Sequence, residues 1–247
     1  MKGLVLAAGE GTRLRPVTAD RPKPMVSVAG VPMIAYALDW MRTNGVTEVA
    51  INTHYRPEPL VAFVGDGAAF GLSVHYSHEP VLLGSSGALA PLQTFFRGEE
   101  LFVVLYGDVL TNQPLGPVID AHRQAKADAT LVLTEVDDPR RAGMVDLDDQ
   151  DGILRLVEKP RDWPADARWA NGGIYLLGPR IWDFAPTSGY HDFGFDLLPA
   201  MLAAGCRLHG FRSRAVLVDI GSHERLAHAA DLVERGRLPR PRVVLPC

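Results

Sequence analysis

The chain has 247 residues, 47% hydrophobic and 22% charged, so it is neither a disordered nor a fibrous sequence, and folding can bury about 72% of its unfolded surface without disulfide or metal staples. A net charge of −4 argues against a general nucleic-acid-binding surface while leaving room for local phosphate sites. The N-terminal apolar run is too short for a signal sequence, no run approaches the roughly 20 apolar residues of a membrane span, and two cysteines, Cys206 and Cys247, do not make a disulfide scaffold, all of which fits a reducing, cytoplasmic protein.

Short apolar runs rich in β-branched residues alternate with longer stretches of helical period, the pattern of βα units around a mainly parallel sheet. Residues 4–6 are the first expected strand, followed by a glycine-rich turn. A helix is expected over 32–42, because Pro32 suits a first turn, Ile34, Leu38 and Met41 recur at helical spacing, and Asn44-Gly45 stops it. Strand 46–52, a short helix 57–64, strand 72–76 and a helix near 88–95 follow. Residues 101–105 are a continuous apolar run ending at Tyr106-Gly107-Asp108, as in a buried parallel strand. After a helix at 118–127 and a strand at 129–134, residues 144–147 and 153–157 flank an acidic turn and read as an antiparallel hairpin. Strand 173–177, a helix 195–204 closed by Gly205, strand 215–218 and a helix running from its N-cap Ser222 to Arg235 complete the series. Residues 237–247, rich in Pro and Arg, are expected to be a loosely held tail.

The segment LAAGEGTRLRPVTADRPKP, residues 6–24, carries the most chemistry. Gly9 and Gly11 let the backbone approach a ligand and present N–H groups to phosphate oxygens, while Arg13 and Lys23 add positive charge. This implies a polyphosphate site, yet the spacing fits neither a Walker A loop nor a dinucleotide fingerprint, which needs a small residue where Leu14 stands. The acidic turn 148–152 falls short of a Ca²⁺ loop, because its first ligand position is Leu147 and its flanks read as strands. His75 and His78 lie an odd number apart on one strand and so face opposite ways, which makes no metal pair.

The run GEGTRLRP followed by RPKPM, then LLGSSGAL (82–89), LYGDVL (105–110), VEKP (157–160), NGGIYLL (171–177) and VDIGSHERL (218–226), resembles the signature of the sugar-1-phosphate nucleotidylyltransferases over nearly the whole chain. Among the branches it is most similar to mannose-1-phosphate or heptose-1-phosphate guanylyltransferases, with MurNAc-1-phosphate uridylyltransferases close behind. The resemblance implies a Mg²⁺-dependent reaction of a nucleoside triphosphate with a sugar 1-phosphate, giving an NDP-sugar and pyrophosphate. Since the sugar phosphate is itself the nucleophile, no catalytic Ser, Cys or His is required.

Residue by residue, the resemblance places Arg13 on the leaving pyrophosphate and Lys23 beside the α-phosphate. Asp108 and Asp219 are the implied metal pair, hard carboxylates at strand ends, although each also reads as a turn-forming Asp. Nucleotide contacts fall to Ala7, Ala8, Gly9, Gly11, Thr12, Gly84 and Gly87. Glu79 is added on chemistry, since a carboxylate can accept from guanine N1–H and its amino group, whereas a plain surface charge before Pro80 is the alternative. Gly143, Glu158, Lys159, Asn171 and Gly172 are the implied sugar-phosphate pocket. Glu158 and Lys159 should point to opposite faces of a strand unless its end redirects one of them. The usual Thr-Ala of the base loop is Ser85-Ser86 here, and the usual Gly-Thr-Pro after the second Asp is Gly221-Ser222-His223.

The expected fold is α/β, a Rossmann-like, mixed and mainly parallel sheet flanked by helices of the nucleotide-diphospho-sugar transferase, GT-A-like type, with a smaller antiparallel sugar-binding subregion. One domain is expected over 1–236, with nucleotide-binding residues in 1–135 and sugar-phosphate-binding residues in 136–236. No β-helix acyltransferase is expected after it. Partners are the two substrates, without nucleic acid or membrane, and relatives of this kind often form homodimers. A non-catalytic sensing subunit is the rival reading, weakened because Arg13, Lys23, Asp108, Lys159 and Asp219 are all kept. A GT-A glycosyltransferase would carry Asp-x-Asp where Gly107-Asp108-Val109-Leu110 stands.

Overall fold

The computed structural model describes residues 1–164 and 167–242. Cys206 is buried with a free thiol, while Cys247 lies outside the described residues. The strands of the first part are β1 (Lys2–Leu6), β2 (Ser27–Val28), β3 (Val31–Pro32), β4 (Glu48–Thr53), β5 (Ser73–His78), β6 (Phe102–Tyr106) and β7 (Val109–Thr111), with helices α1 (Met33–Thr43), α2 (Glu58–Val64) and α3 (Gly84–Gly87). There follow α4 (Leu115–Ala125), β8 (Ala129–Glu135), β9 (Gly143–Leu147), β10 (Ile153–Glu158), β11 (Trp169–Leu177), α5 (Leu198–Ala203), β12 (Leu208–Arg212), β13 (Leu217–Asp219) and α6 (His223–Glu234). Among the described residues no helix is long and apolar enough to cross a membrane.

The chain forms two compact units, and they are interleaved along the sequence rather than consecutive, so a cut at residue 135 follows neither. The first unit comprises Met1–Leu82, Leu105–Gln113 and the chain from Ala215 onward. Within it β1 pairs in parallel with β4, Leu6 opposite Asn52, and β4 in parallel with β5, Thr53 opposite His78. These strands are joined through α1 and α2, as parallel neighbours require a crossover. Every residue of α1 from Met33 to Met41 is buried, the pattern of a helix covered on all sides. β13 pairs antiparallel with β7, Asp219 opposite Val109. A core of Leu14, Val26, Val28, Met33, Tyr36, Leu110, Val218 and Ile220 also takes in Ala229, Val233 and Leu238. The expectation of a loose tail is therefore wrong at its start: Arg237 and Leu238 both donate their amides to the Leu232 carbonyl (2.8 and 3.1 Å), and Leu238 is buried.

The second unit comprises Leu83–Val104 and Pro114–Arg214. β8 pairs antiparallel with β11 and parallel with β12, and the expected hairpin is present as β9 and β10, attached through Met144 opposite Ala170 of β11. Parallel ladders thus prevail in the first unit and a mixed sheet in the second. β11 begins four residues earlier than the 173–177 expected, and its register with β8 shifts between Asn171 and Tyr175. The helix expected at 88–95 is not formed; α3 lies before it, and only the single turn Ala90–Leu92 follows, because Pro91 removes a donor from any longer helix. The helix expected over 195–204 is present, but it opens two residues earlier as a π-helical turn, Phe193–Leu197, capped by the Asp192 carboxylate, and becomes α-helical at Leu198.

Candidate active site

In the first unit the turn after β1 delivers its charges onto the β7 and β13 strand ends. Gly11 sits at φ +66°, and a Cβ there would stand 2.9 Å from the Lys23 Cβ, so the loop closes on Lys23 only without a side chain at this position. At Gly9 an added Cβ would meet nothing within 4 Å, which leaves that stretch of backbone open. Thr12 and Arg13 are exposed on a short helical turn, Thr12–Leu14. Lys23 Nζ is ion-paired with Asp108 Oδ2.

The pairing of β7 with β13 brings Asp108 and Asp219 together across more than a hundred residues of sequence: Asp219 lies opposite Val109, and the Ile220 amide donates to the Asp108 carbonyl at 2.8 Å. Asp219 Oδ2 accepts from Arg225 at 3.2 Å, and a Cβ on Gly221 would lie 3.2 Å from an Arg13 guanidinium nitrogen and 3.3 Å from Asp219 Oδ2. Arg13, Lys23, Asp108 and Asp219 therefore share one neighbourhood. The Asp219 side chain is 44% exposed, yet its Oδ1 is sealed from solvent with no hydrogen-bond partner among the described residues. Burial and the neighbouring Asp108 carboxylate push the Asp219 carboxyl above its ordinary value, opposed by Lys23, Arg225 and Arg13. An orphaned carboxylate oxygen beside a second carboxylate suits a hard cation, so the two residues fit the implied Mg²⁺. No group of three or more His, Cys, Asp or Glu is so placed among the described residues, and the remaining ligands would have to come from elsewhere, phosphate oxygens being the natural class.

Ala7 and Ala8 are buried at the end of β1. The Ala7 amide donates to Asn52 Oδ1 (2.7 Å), and Asn52 Nδ2 in turn donates to Glu79 Oε1 (2.8 Å). Glu79 is 1% exposed, so it is not a surface charge. Asn52 was not singled out by the sequence; a lone Asn at the end of an apolar strand carries no distinctive pattern.

In the second unit Gly84 and Gly87 belong to α3. Their bare Cα atoms are required by the chain at 189–191: a Cβ on Gly84, at φ +78°, would collide with the His191 carbonyl oxygen, and one on Gly87 would lie 3.0 Å from the Gly189 oxygen. Glu158 ends β10, and Lys159 adopts a left-handed backbone at φ +47°. The strand end thus redirects Lys159, whose Nζ lies 3.3 Å from Glu158 Oε1 instead of on the opposite face. Glu158 Oε2 fills the space above Gly143, where a Cβ would collide with it, and Asn171 borders the same space. Asn171 and Gly172 lie in the irregular stretch of β11, with Asn171 Oδ1 accepting from the Gly173 amide at 3.0 Å. Such irregularities re-aim side chains next to binding sites. Gly143, Glu158, Lys159 and Asn171 are therefore together.

The sequence model of the nucleotidyl transferase family matches residues 2–236. A mannose-1-phosphate guanylyltransferase of Mycobacterium tuberculosis is 36% identical over 240 residues, covering 96% of this chain and 66% of that protein. A UTP–glucose-1-phosphate uridylyltransferase of Synechocystis is 33% identical over 233 residues, covering 90% of this chain and 60% of that protein. The chain thus spans less than two thirds of the length of these curated relatives. Among solved structures it is similar to a Bacillus anthracis protein assigned as a glucose-1-phosphate thymidylyltransferase and holding sucrose, with a TM-score of 0.84, 29% identity and 94% of each chain covered. It is also similar to HddC from Yersinia pseudotuberculosis complexed with GMP-PN, with a TM-score of 0.78, 26% identity, and 93% and 98% of the two chains covered.

Proposed function

Because the chain belongs to the nucleotidyl transferase family, we propose that it joins a nucleoside triphosphate to a sugar 1-phosphate with release of pyrophosphate, GTP and mannose 1-phosphate or a manno-heptose 1-phosphate being the preferred substrates. The observation that carries this reading is the convergence, in one unit, of Arg13, Lys23, Asp108 and Asp219 from three distant stretches of chain. A phosphate oxygen of the sugar 1-phosphate forms the new bond to the α-phosphorus, and the bond from that phosphorus to the bridging oxygen of the β-phosphate breaks. Arg13 offsets the charge that grows on the departing pyrophosphate, and Lys23 that on the α-phosphoryl oxygens. Asp108 and Asp219 would hold Mg²⁺, which when bound supplies further positive charge to the phosphates. Lys159 pairs with the sugar's phosphate, and Glu158 accepts from sugar hydroxyls. A reaction that consumes a nucleoside triphosphate belongs with the cellular nucleotide pool, so the cytoplasm is its place.

The guanine preference rests on the guanylyltransferase relative and on the GMP-PN complex of the HddC structure. Glu79 serves nucleotide binding as a whole and not the choice of base, by fixing Asn52 and through it the Ala7 backbone.

The test is pyrophosphate release with Mg²⁺ across a grid of GTP, UTP, ATP, CTP and dTTP against mannose, heptose, glucose and MurNAc 1-phosphates. GTP with a manno-configured sugar should give the highest kcat/KM. Lys23→Ala and Asp108→Asn, with circular dichroism unchanged, should each lower kcat by about 10²–10³. Full turnover in both variants would overturn the mechanism.

A further inference from the structure

The base loop and the sugar carboxylate of the second unit are held by the same stretch of chain, residues 189–196, which no motif brought forward. On one side this stretch clasps the loop around α3. The His191 carbonyl accepts from the Ser86 and Gly87 amides at 3.1 and 3.2 Å, and the His191 amide donates to the Leu83 carbonyl at 2.8 Å. Ser85 Oγ donates to Asp192 Oδ2 at 2.6 Å and accepts from the Phe193 amide at 2.9 Å. A hydroxyl donating to a carboxylate is a charge-assisted bond, stronger than a neutral one.

On the other side the same Asp192 builds the turn that follows it. Its Oδ1 accepts from the Gly194 and Phe195 amides at 2.8 and 3.3 Å, and its own amide donates to Asp196 Oδ2 at 2.7 Å. That turn sets Gly194 against the sugar carboxylate: a Cβ on Gly194 would lie 3.0 Å from Glu158 Oε2 and 3.4 Å from Asp192 Oδ1. One carboxylate thus faces two ways, with Oδ2 on the base loop and Oδ1 on the turn that backs Glu158.

We propose that Asp192 is a positioning residue for both substrates, setting the loop at 83–87 through Ser85 and backing Glu158 through Gly194. This rests on the nucleotidyltransferase reading, which assigns α3 to the nucleotide and Glu158 to the sugar. It has a consequence that a purely structural role lacks, because the two arms separate. Ser85→Ala loosens only the nucleotide arm, Gly194→Ala displaces only Glu158, and Asp192→Asn disturbs both.

The experiment is steady-state kinetics of the full chain with GTP and mannose 1-phosphate varied independently, and thermal melting measured alongside. Ser85→Ala should raise the KM for GTP about tenfold, Gly194→Ala the KM for the sugar phosphate about tenfold, and Asp192→Asn both. Ser85→Thr, which keeps the hydroxyl, should restore the KM lost in Ser85→Ala. Unchanged KM values, or both KM values moving by one common factor in all three variants, would overturn the proposal and leave the reaction standing. If the wild type turns over no pair in the grid, hydrogen exchange at the Ser86 and Gly87 amides decides, with GTP and mannose 1-phosphate as probes. Protection by GTP that is lost in Asp192→Asn supports the positioning role while the reaction falls. No protection by either probe in the wild type overturns both.

Discussion

Ala7, Asn52 and Glu79 form a line of hydrogen bonds that ends in a carboxylate 1% exposed to solvent. The buried carboxylate accepts from the Asn52 amide, and so orients a side chain whose oxygen fixes the Ala7 N–H. The outcome expected of Glu79→Gln follows from that indirect position. KM for GTP and for UTP should rise together, by about tenfold, with the GTP/UTP preference unchanged. A selective loss of GTP over UTP in the same assay would show that Glu79 reads the base directly. The charged turn after β1 was legible at this scale because Gly9, Gly11, Arg13 and Lys23 fall within one stretch of fifteen residues and their chemistry is declared by type. Ser85 and Asp192 were not, since their partnership spans 107 positions and the neighbouring clasp on the loop uses the His191 backbone, which has no residue signature.

Elements followed the periodicity where propensity and burial agreed, as in α1, α4 and the β9–β10 hairpin, with ends displaced by a few residues. They failed where one residue overrode the pattern, as Pro91 does in the expected helix at 88–95, and the helix expected over 195–204 was altered in kind by the Asp192 cap, which opens it as a π-helical turn. β7 was missed because its three residues follow directly on Asp108, and β12 because Gly210 interrupts its run of large side chains. α4 carries a titrating contact with β8: His122, 8% exposed, shares a 2.9 Å hydrogen bond between Nδ1 and Thr130 Oγ1. Burial holds the His122 imidazole below its ordinary value of 6.5, with His209 and Arg123 adding to the effect and Asp128 opposing it. The unfolded chain therefore binds the proton more readily than the folded one. This contribution to stability is complete above the ordinary histidine range and is lost as pH falls through the lowered folded value. Tm should drop between about pH 7.5 and about pH 5.5, and the drop should be smaller in His122→Asn, as differential scanning fluorimetry would show. An identical pH profile in the variant would assign the drop to other groups.

At the scale of the whole molecule, the two units were not legible, because the boundary is drawn by contacts between segments that lie far apart in sequence. The first unit is made of three such segments, and the last of them ends its described core at Leu238, 2% exposed beside Leu14, Val26 and Met33. Leu238→Ala should cost about 2–5 kcal/mol in urea denaturation, a core value for a residue that composition alone assigned to a tail. A cost near zero would return residue 238 to the surface.

The interleaving also sets an order of events on the ribosome. The second unit has all its residues once Arg214 has been made, whereas the first still lacks α6, Asp219 and the partner strand of β7. The nascent chain thus carries Arg13 and Lys23 early and receives Asp219 only after the whole of the second unit has been made. A chain released after Arg214 but before Asp219 has been made holds every residue of the second unit, but its first unit lacks the strand that pairs with β7.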